Sequence, residues 1–196
     1  GKSFPLQLCN ILIREKLPKT IIAVIDSQTV ESSQLLITLE AAKAAAQGRN
    51  LNEVMQVTNN MIPRVNQFSI RDTLFYLDKG GRICEAKSWA EAEATSSFRA
   101  IVEIDASTGG ITKPVARAKT KSQVMEKMVD IAKERVGNKK LRFAIAHANV
   151  PDQVEQLKQK ILSSFQCVEF YMTEVLAVAA VHNGQGLIEF GFYSSD

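Results

Sequence analysis

The stretch DTLFYLDKGGRI, residues 72–83, decides how the chain is divided. Ile70, Leu74 and Leu77 share one face at helical spacing. Asp72 stands where a carboxylate can cap a short helix. Gly80-Gly81 then stops that helix, because glycine enters the left-handed cap position without a Cβ penalty. The five residues Lys79-Gly80-Gly81-Arg82-Ile83 have a second reading, a nest of backbone N–H groups for an anion flanked by two cations. Their spacing is neither a Walker loop nor a dinucleotide fingerprint. As a helix stop and chain reversal, the pair should matter to folding before it matters to binding.

Upstream the pattern is that of a layered α/β unit. Residues 4–16 have helical spacing, with Pro5 in a first turn and Pro18 beyond the end. TIIAVID, 20–26, is a continuous β-branched apolar run, the signature of a parallel strand covered on both faces. Asp26-Ser27 lies where such a strand ends, the edge at which open α/β sheets bind ligands. A helix follows over 31–47 and stops at Gly48; Asn50 with Glu53 makes a capping box for another over 51–62. One parallel strand is not a sheet, so its neighbours must come from elsewhere.

Downstream the pattern changes, and the best boundary lies near Pro63 to Gln67. NQFSI is a short strand, and residues 86–96 form a small helix around Trp89. Strands 98–105 and 111–117 flank a Ser-Thr-Gly-Gly turn, and Pro114 puts the second at a sheet edge or a bulge. Thr120 with Gln123 caps a helix over 121–136 that Gly137 ends. LRFAIAHA alternates, 151–163 is amphipathic, and CVEFYMT and LIEFGFYS are two further strands. The fold class is α/β: residues 1–66 as a partial parallel α/β layer, and residues 67–196 as an α+β layer with a mostly antiparallel sheet and helices on one face.

With 196 residues the chain can bury about two thirds of its unfolded surface. A net charge of +3 is too small to argue for nucleic acid. No apolar run reaches the roughly 18 residues of a membrane span, and no stretch reads as a signal peptide, so none is expected. The chain begins at Gly1, which reads as a processed or partial sequence. Cys9, Cys84 and Cys167 are odd in number and far apart, which fits a reducing cytoplasm better than a disulfide framework or zinc site. His147 and His182 alone make no metal site.

His182 is the leading candidate for chemistry. It ends an apolar run and precedes Gly184 and Gly186, small residues beside which a ligand or another backbone can approach closely. An imidazole there suits a carboxylate or phosphate oxygen; it equally suits a satisfied histidine in a turn. His147, at a strand end, reads as a hydrogen-bonding partner for nearby backbone. In TKPVARAKTK, Arg117 shares strand parity with Ile111 and Val115 and so points inward, where a guanidinium can pin a carboxylate; otherwise the run is a solvated basic face. No serine sits in a nucleophile elbow.

Five segments together resemble one family. VIDSQTV (24–30), AAAQGRNLNEV (44–54), DTLFYLDKGGRI (72–83), GITKPVARAKTK (110–121) and VHNGQG (181–186) occur in the order seen in DegV-family proteins, which bind fatty acids in bacteria. The resemblance implies a two-lobe fold with the acyl chain buried between lobes. It implies a carrier and not an enzyme, without cofactor or metal, that presents the carboxylate of a palmitate-like or oleate-like acid to a partner fatty acid kinase. It also implies that the front of the first lobe is lacking here, including a head-group threonine. Where the family has Ser-Gly-Thr, this chain reads Lys2-Ser3-Phe4-Pro5, so only Ser3 matches. Where the family has His-x-Gly-Pro-Gly, it reads His182-Asn183-Gly184-Gln185-Gly186, matching the histidine and both glycines. Arg117 matches a basic position after the hairpin. The implied ligand residues are therefore His182, Ser3, Arg117, Gly184 and Gly186. Burial of about 0.8 kcal/mol per CH₂ would hold such a chain tightly, while the carboxylate must stay paired with polar groups. Two rivals stand beside this reading. One is an enzyme on a small anionic substrate with His182 as general base; the other is a docking module that uses the basic strand 111–121.

Overall fold

Strands buried on both faces organise the molecule. The structure, a computed structural model, describes residues 11, 13, 15–93 and 95–195. Helices α1 (Glu31–Ala46) and α2 (Leu51–Met61) lead into β1 (Asn66–Ile70), α3 (Phe75–Lys79), a 3-10 turn (Cys84–Ala86) and α4 (Lys87–Glu93). The hairpin β2 (Arg99–Glu103) and β3 (Lys113–Ala118) follows, then α5 (Lys121–Val136), β4 (Lys140–His147), α6 (Pro151–Ser164), β5 (Cys167–Glu174), α7 (Ala177–Asn183) and β6 (Ile188–Ser195). Six strands form one sheet in the order β3-β2-β1-β6-β4-β5. Only β4 and β5 run parallel, joined by α6; the other neighbours are antiparallel.

Most starts and stops follow local chemistry. Asn50 and Glu53 form a reciprocal capping box at α2, and Thr120 and Gln123 form another at α5. Asp105 and Thr108 close the hairpin turn in the same way. Opposite Ile101 and Val102 the register jumps from Ala116 to Pro114, a bulge at Val115 on the edge strand β3. The other border of the sheet is β5, where Val168, Phe170 and Met172 are exposed.

Each sheet face has its own cover. Phe68, Ile70, Ile101, Phe143, Phe190 and Phe192 point to one side, against Val124, Met128 and Ala132 of α5 and Val154, Leu157 and Ile161 of α6. The Phe190 and Phe192 rings stack at 4.7 Å. Burying each such ring contributes about 1.5–3 kcal/mol. On the opposite face two helix groups sit apart. Leu36, Ile37 and Met61 of α1 and α2 cover Ala144 and Tyr193. Leu74, Leu77 and Ala86 cover Ala100 and Val102. Helices thus cover both faces, because α3 and α4 lie on the face opposite α5 and α6.

Several expectations shift. The apolar run at 20–26 joins no strand of the sheet; Ile21 is 83% exposed. A strand needs a neighbour to share its hydrogen-bond ladder, and none of the six strands lies beside it. Asp72 does not cap α3. The Thr73 hydroxyl accepts the Phe75 N–H at 3.1 Å, and Glu93 of α4 holds this turn by accepting the Leu74 N–H at 2.7 Å and the Thr73 hydroxyl at 2.9 Å. Asp72 pairs instead with Lys121 at 2.8 Å. The helix expected over 4–16 lies mostly outside the described residues, although Ile11, Ile13, Glu15 and Lys16 are helical. Cys9 lies outside them too.

The first turn of α1 reaches the sheet at Gly191, where an added Cβ would lie 2.5 Å from the Ser33 backbone nitrogen. Gly191→Ala should therefore lift α1 and cost about 1–3 kcal/mol by overpacking. Urea denaturation measures this; an unchanged midpoint would contradict the contact.

Candidate functional site

Between the two helix groups a strip of sheet stays uncovered, and a cavity of about 310 Å³ opens over it. Ser69, Arg71, Val102 and Glu189 form its floor. Its walls are the segment Asp26 to Glu31, the end of α3 at Leu77, Arg82 and Cys84, and one side of α7.

The 26–31 wall is tied down locally. Asp26 accepts the Gln28 N–H at 2.9 Å, and the Thr29 hydroxyl donates to the Ile104 carbonyl at 3.0 Å. Gln28 (φ 54°) and Glu31 (φ 35°) both take left-handed backbone, an unusual state for side-chain-bearing residues. Asp26 thus lines the cavity as expected of a ligand edge, although the strand thought to carry it there does not form.

The α7 wall depends on glycine. A Cβ on Gly80 would meet His182 Nδ1 at 2.4 Å, so the imidazole rests directly on the glycine backbone. The glycine pair and the histidine, distant in sequence, are one contact. Gly184 and Gly186 serve the same junction. Their Cβ positions are taken by the Tyr76 ring and by the Asp72 carboxylate, and both have positive φ (76° and 85°). The Gly186 carbonyl accepts from Lys121 at 2.9 Å. What approaches these two glycines is therefore α3 and Asp72. His182 Nδ1 is buried and has no hydrogen-bond partner among the described residues.

Arg117 does not point inward. It is exposed on β3, its guanidinium 5.6 Å from the Trp89 ring centre and 5.4 Å from that of Phe98, and it does not line the cavity. The edge position, bent by the bulge, leaves no covered face for its charge. Much of the basic run makes local contacts: Lys113 faces Glu85 at 3.5 Å, and Lys121 faces Asp72. Ser3 lies outside the described residues. His147 accepts the Val150 N–H at 3.4 Å, the local role read for it. No group of three or more His, Cys, Asp or Glu side chains suited to a metal occurs among the described residues. No helix among them is long and apolar enough to cross a membrane.

The cavity floor holds what sequence reading missed. Arg71 is 3% exposed and Glu189 2%. Arg71 Nη2 donates to Ser69 Oγ at 2.7 Å, while Nε and Nη1 have no partner among the described residues. Burial lowers the guanidinium to about 10, with Glu189 and Glu93 opposing the shift. Burial pushes the Glu189 carboxyl up to about 8; the Glu31 carboxylate adds to the rise, and Arg71 and the Ser32 N–H oppose it. Glu31 is itself raised by burial. The signal was present as polar residues inside apolar strands: Gln67, Ser69 and Arg71 alternate with Phe68 and Ile70, and Glu189 sits between Ile188 and Phe190.

The chain matches the family model described as "Uncharacterised protein, DegV family" over residues 9–195. A DegV domain-containing protein of Clostridium perfringens is 29% identical over 174 residues, covering 88% of this chain and 59% of its own. The chain thus spans about three fifths of that relative. Among solved structures, a fatty-acid-binding DegV family protein from Thermus thermophilus aligns with a TM-score of 0.83 at 22% identity, over 94% of this chain and 64% of its own. A DegV family protein from Eubacterium eligens loaded with heptadecanoic acid gives 0.84 at 16% identity, over 96% and 67%. The Streptococcus pneumoniae Fatty Acid Kinase (Fak) B3 protein loaded with linoleic acid gives 0.81 at 19%, over 97% and 66%. These likenesses show a shared fold.

Two outcomes follow from the site geometry. Gly80→Ala should displace the His182 imidazole and shift its NMR ring signals. Gly81→Ala (φ 64°, open space) should leave those signals in place and cost about 1–2 kcal/mol of stability through backbone strain. Glu189, raised from 4.5 to about 8, favours the folded state while protonated. Its contribution is full below its ordinary value and is lost as pH rises toward about 8. Glu189→Gln should flatten that decline in urea titrations run across this range; an unchanged slope would contradict the assignment.

Proposed function

Because the chain belongs to the DegV family, we propose that its cavity takes the acyl chain of a long-chain fatty acid and that His182 meets the carboxylate. The observation that carries this is a buried Nδ1 without a partner on the wall of a cavity. A carboxylate oxygen would supply the missing partner, on Nδ1 directly or through a re-oriented ring. Leu77, Val102, Ile104, Val178 and Ala179 offer apolar surface to the methylenes. The solved relatives loaded with heptadecanoic and linoleic acid support the ligand class.

In this reading the chain is a carrier. Residues 1–66 belong to one lobe and 67–196 to the other, with the acyl chain between them; segment 26–31 faces the sheet across the cavity in keeping with that division. Ser3 supplies a hydroxyl to the head group alongside His182. Gly184 and Gly186 hold the His182 helix in place, and exposed Arg117 contacts a docking partner. The relative whose name includes fatty acid kinase supports a kinase as that partner. The three widely spaced cysteines, of which Cys84 and Cys167 are free thiols, favour the cytoplasm as the place of action.

Mass spectrometry of lipid extracted from the purified protein should find a long-chain acid, and delipidated protein should take up palmitate or oleate. His182→Ala should weaken uptake by about 10- to 100-fold, the range for losing a hydrogen bond to a charged group. Protein that carries no acid and takes up neither would overturn the proposal. A hydrolase or transferase activity lost in His182→Ala would mark an enzyme instead.

A further inference from the structure

An acyl chain needs no charge beneath it, yet the floor of this cavity has one. Ser69 and Glu189 are direct cross-strand partners on β1 and β6, and Val102 flanks Ser69 on β2. Directly opposed side chains of an antiparallel pair have Cβ atoms about 4.5–5.5 Å apart. Arg71, one residue past the end of β1, shares their face and bonds Ser69. Ser69, Arg71 and Glu189 all line the cavity, and each is nearly inaccessible to solvent.

The hydrogen-bonding capacity left over is specific. Arg71 offers the Nε and Nη1 donors, and Glu189 Oε2 is unpartnered. The other side of the Glu189 carboxylate is occupied by the Ser32 N–H at the start of α1. A wholly apolar ligand would seal a guanidinium under hydrocarbon with donors unmet, which is costly. A carboxylate would satisfy Arg71 and could accept from a protonated Glu189, but it has nothing to donate to an ionised Glu189 and would sit near the Glu31 carboxylate. A hydroxyl accepts from Arg71 and also donates to Glu189, or accepts from Glu189 when that group is protonated.

We propose that the Ser69–Arg71–Glu189 floor is a second polar recognition site, and that the chain selects an acyl ligand carrying a hydroxyl group along its chain. This rests on the acyl-ligand reading above. His182 takes the head group, and the floor reads the substituent.

The test is calorimetric titration of delipidated protein with stearate and with a series of positional isomers of hydroxystearate. At least one isomer should bind about tenfold more tightly than stearate, equivalent to about 1.4 kcal/mol. Arg71→Met, combined with Glu189→Gln so that no buried charge loses its partner, should bring the affinities for stearate and for every hydroxystearate isomer together. Stearate that binds as well as every isomer would overturn the inference and leave the carrier reading standing. So would a preference that survives the double variant. If no acid binds at all, both fall. Should the variant not fold, the wild-type series decides alone.

Discussion

The first turn of α1 rests on bare backbone, and that contact positions one side of the cavity. A Cβ on Gly191 would lie 2.5 Å from the Ser33 nitrogen and 2.7 Å from the Ser32 carbonyl carbon, so glycine is what lets the turn and β6 meet. Val30 at the N-cap makes no side-chain cap hydrogen bond. The sheet serves in its place: Gln67 accepts the Ser33 N–H at 2.9 Å, and Glu189 accepts that of Ser32. Ser33 Oγ donates to the Asn66 carbonyl at 2.7 Å. Helix ends leave N–H groups that need acceptors, and here two side chains from strands below supply them. The segment 26–31, which precedes this turn, is thereby held over the floor.

This arrangement explains why the polar floor tolerates burial. Glu189 is both a cap for α1 and a neighbour of Arg71, so it joins helix docking to cavity chemistry. Gln67 one step along β1 does the first task only. A sheet face that carries Gln67, Ser69, Arg71 and Glu189 in place of aliphatic residues gives up hydrophobic burial that the opposite face keeps in full. That opposite face packs Phe and Ile side chains of β1, β2, β4 and β6 against α5 and α6.

Much of the fold was legible because its signals are local. Capping boxes at Asn50/Glu53 and Thr120/Gln123, the stop at Gly137, the hairpin around Gly109-Gly110 and the alternating strands all depend on residues a few positions apart. Residues 20–26 were misread because an apolar β-branched run says nothing about whether a neighbouring strand exists to pair with it. The site was legible only in part. His182 stood out as a lone imidazole among small apolar residues, but its contact with Gly80 is a tertiary event that no spacing rule contains. Arg117 was misplaced because strand parity fails across the bulge at Val115. Arg71 and Glu189 were overlooked because each looked like one polar residue in a strand, and their meaning lies in sharing one buried face.

The two borders of the sheet differ in what they permit. On β3, Pro114 withholds an N–H and the bulge at Val115 disturbs the ladder. On β5, eight residues run with their outer hydrogen-bonding edge unmatched by any strand of the sheet, beside an exposed row of Val168, Phe170 and Met172. Open strand edges template the addition of another strand. Each border carries a register shift, at Val115 on β3 and at Val168 on β5, so the difference between them is Pro114: an incoming β-strand would meet a residue without an N–H at β3 and none at β5.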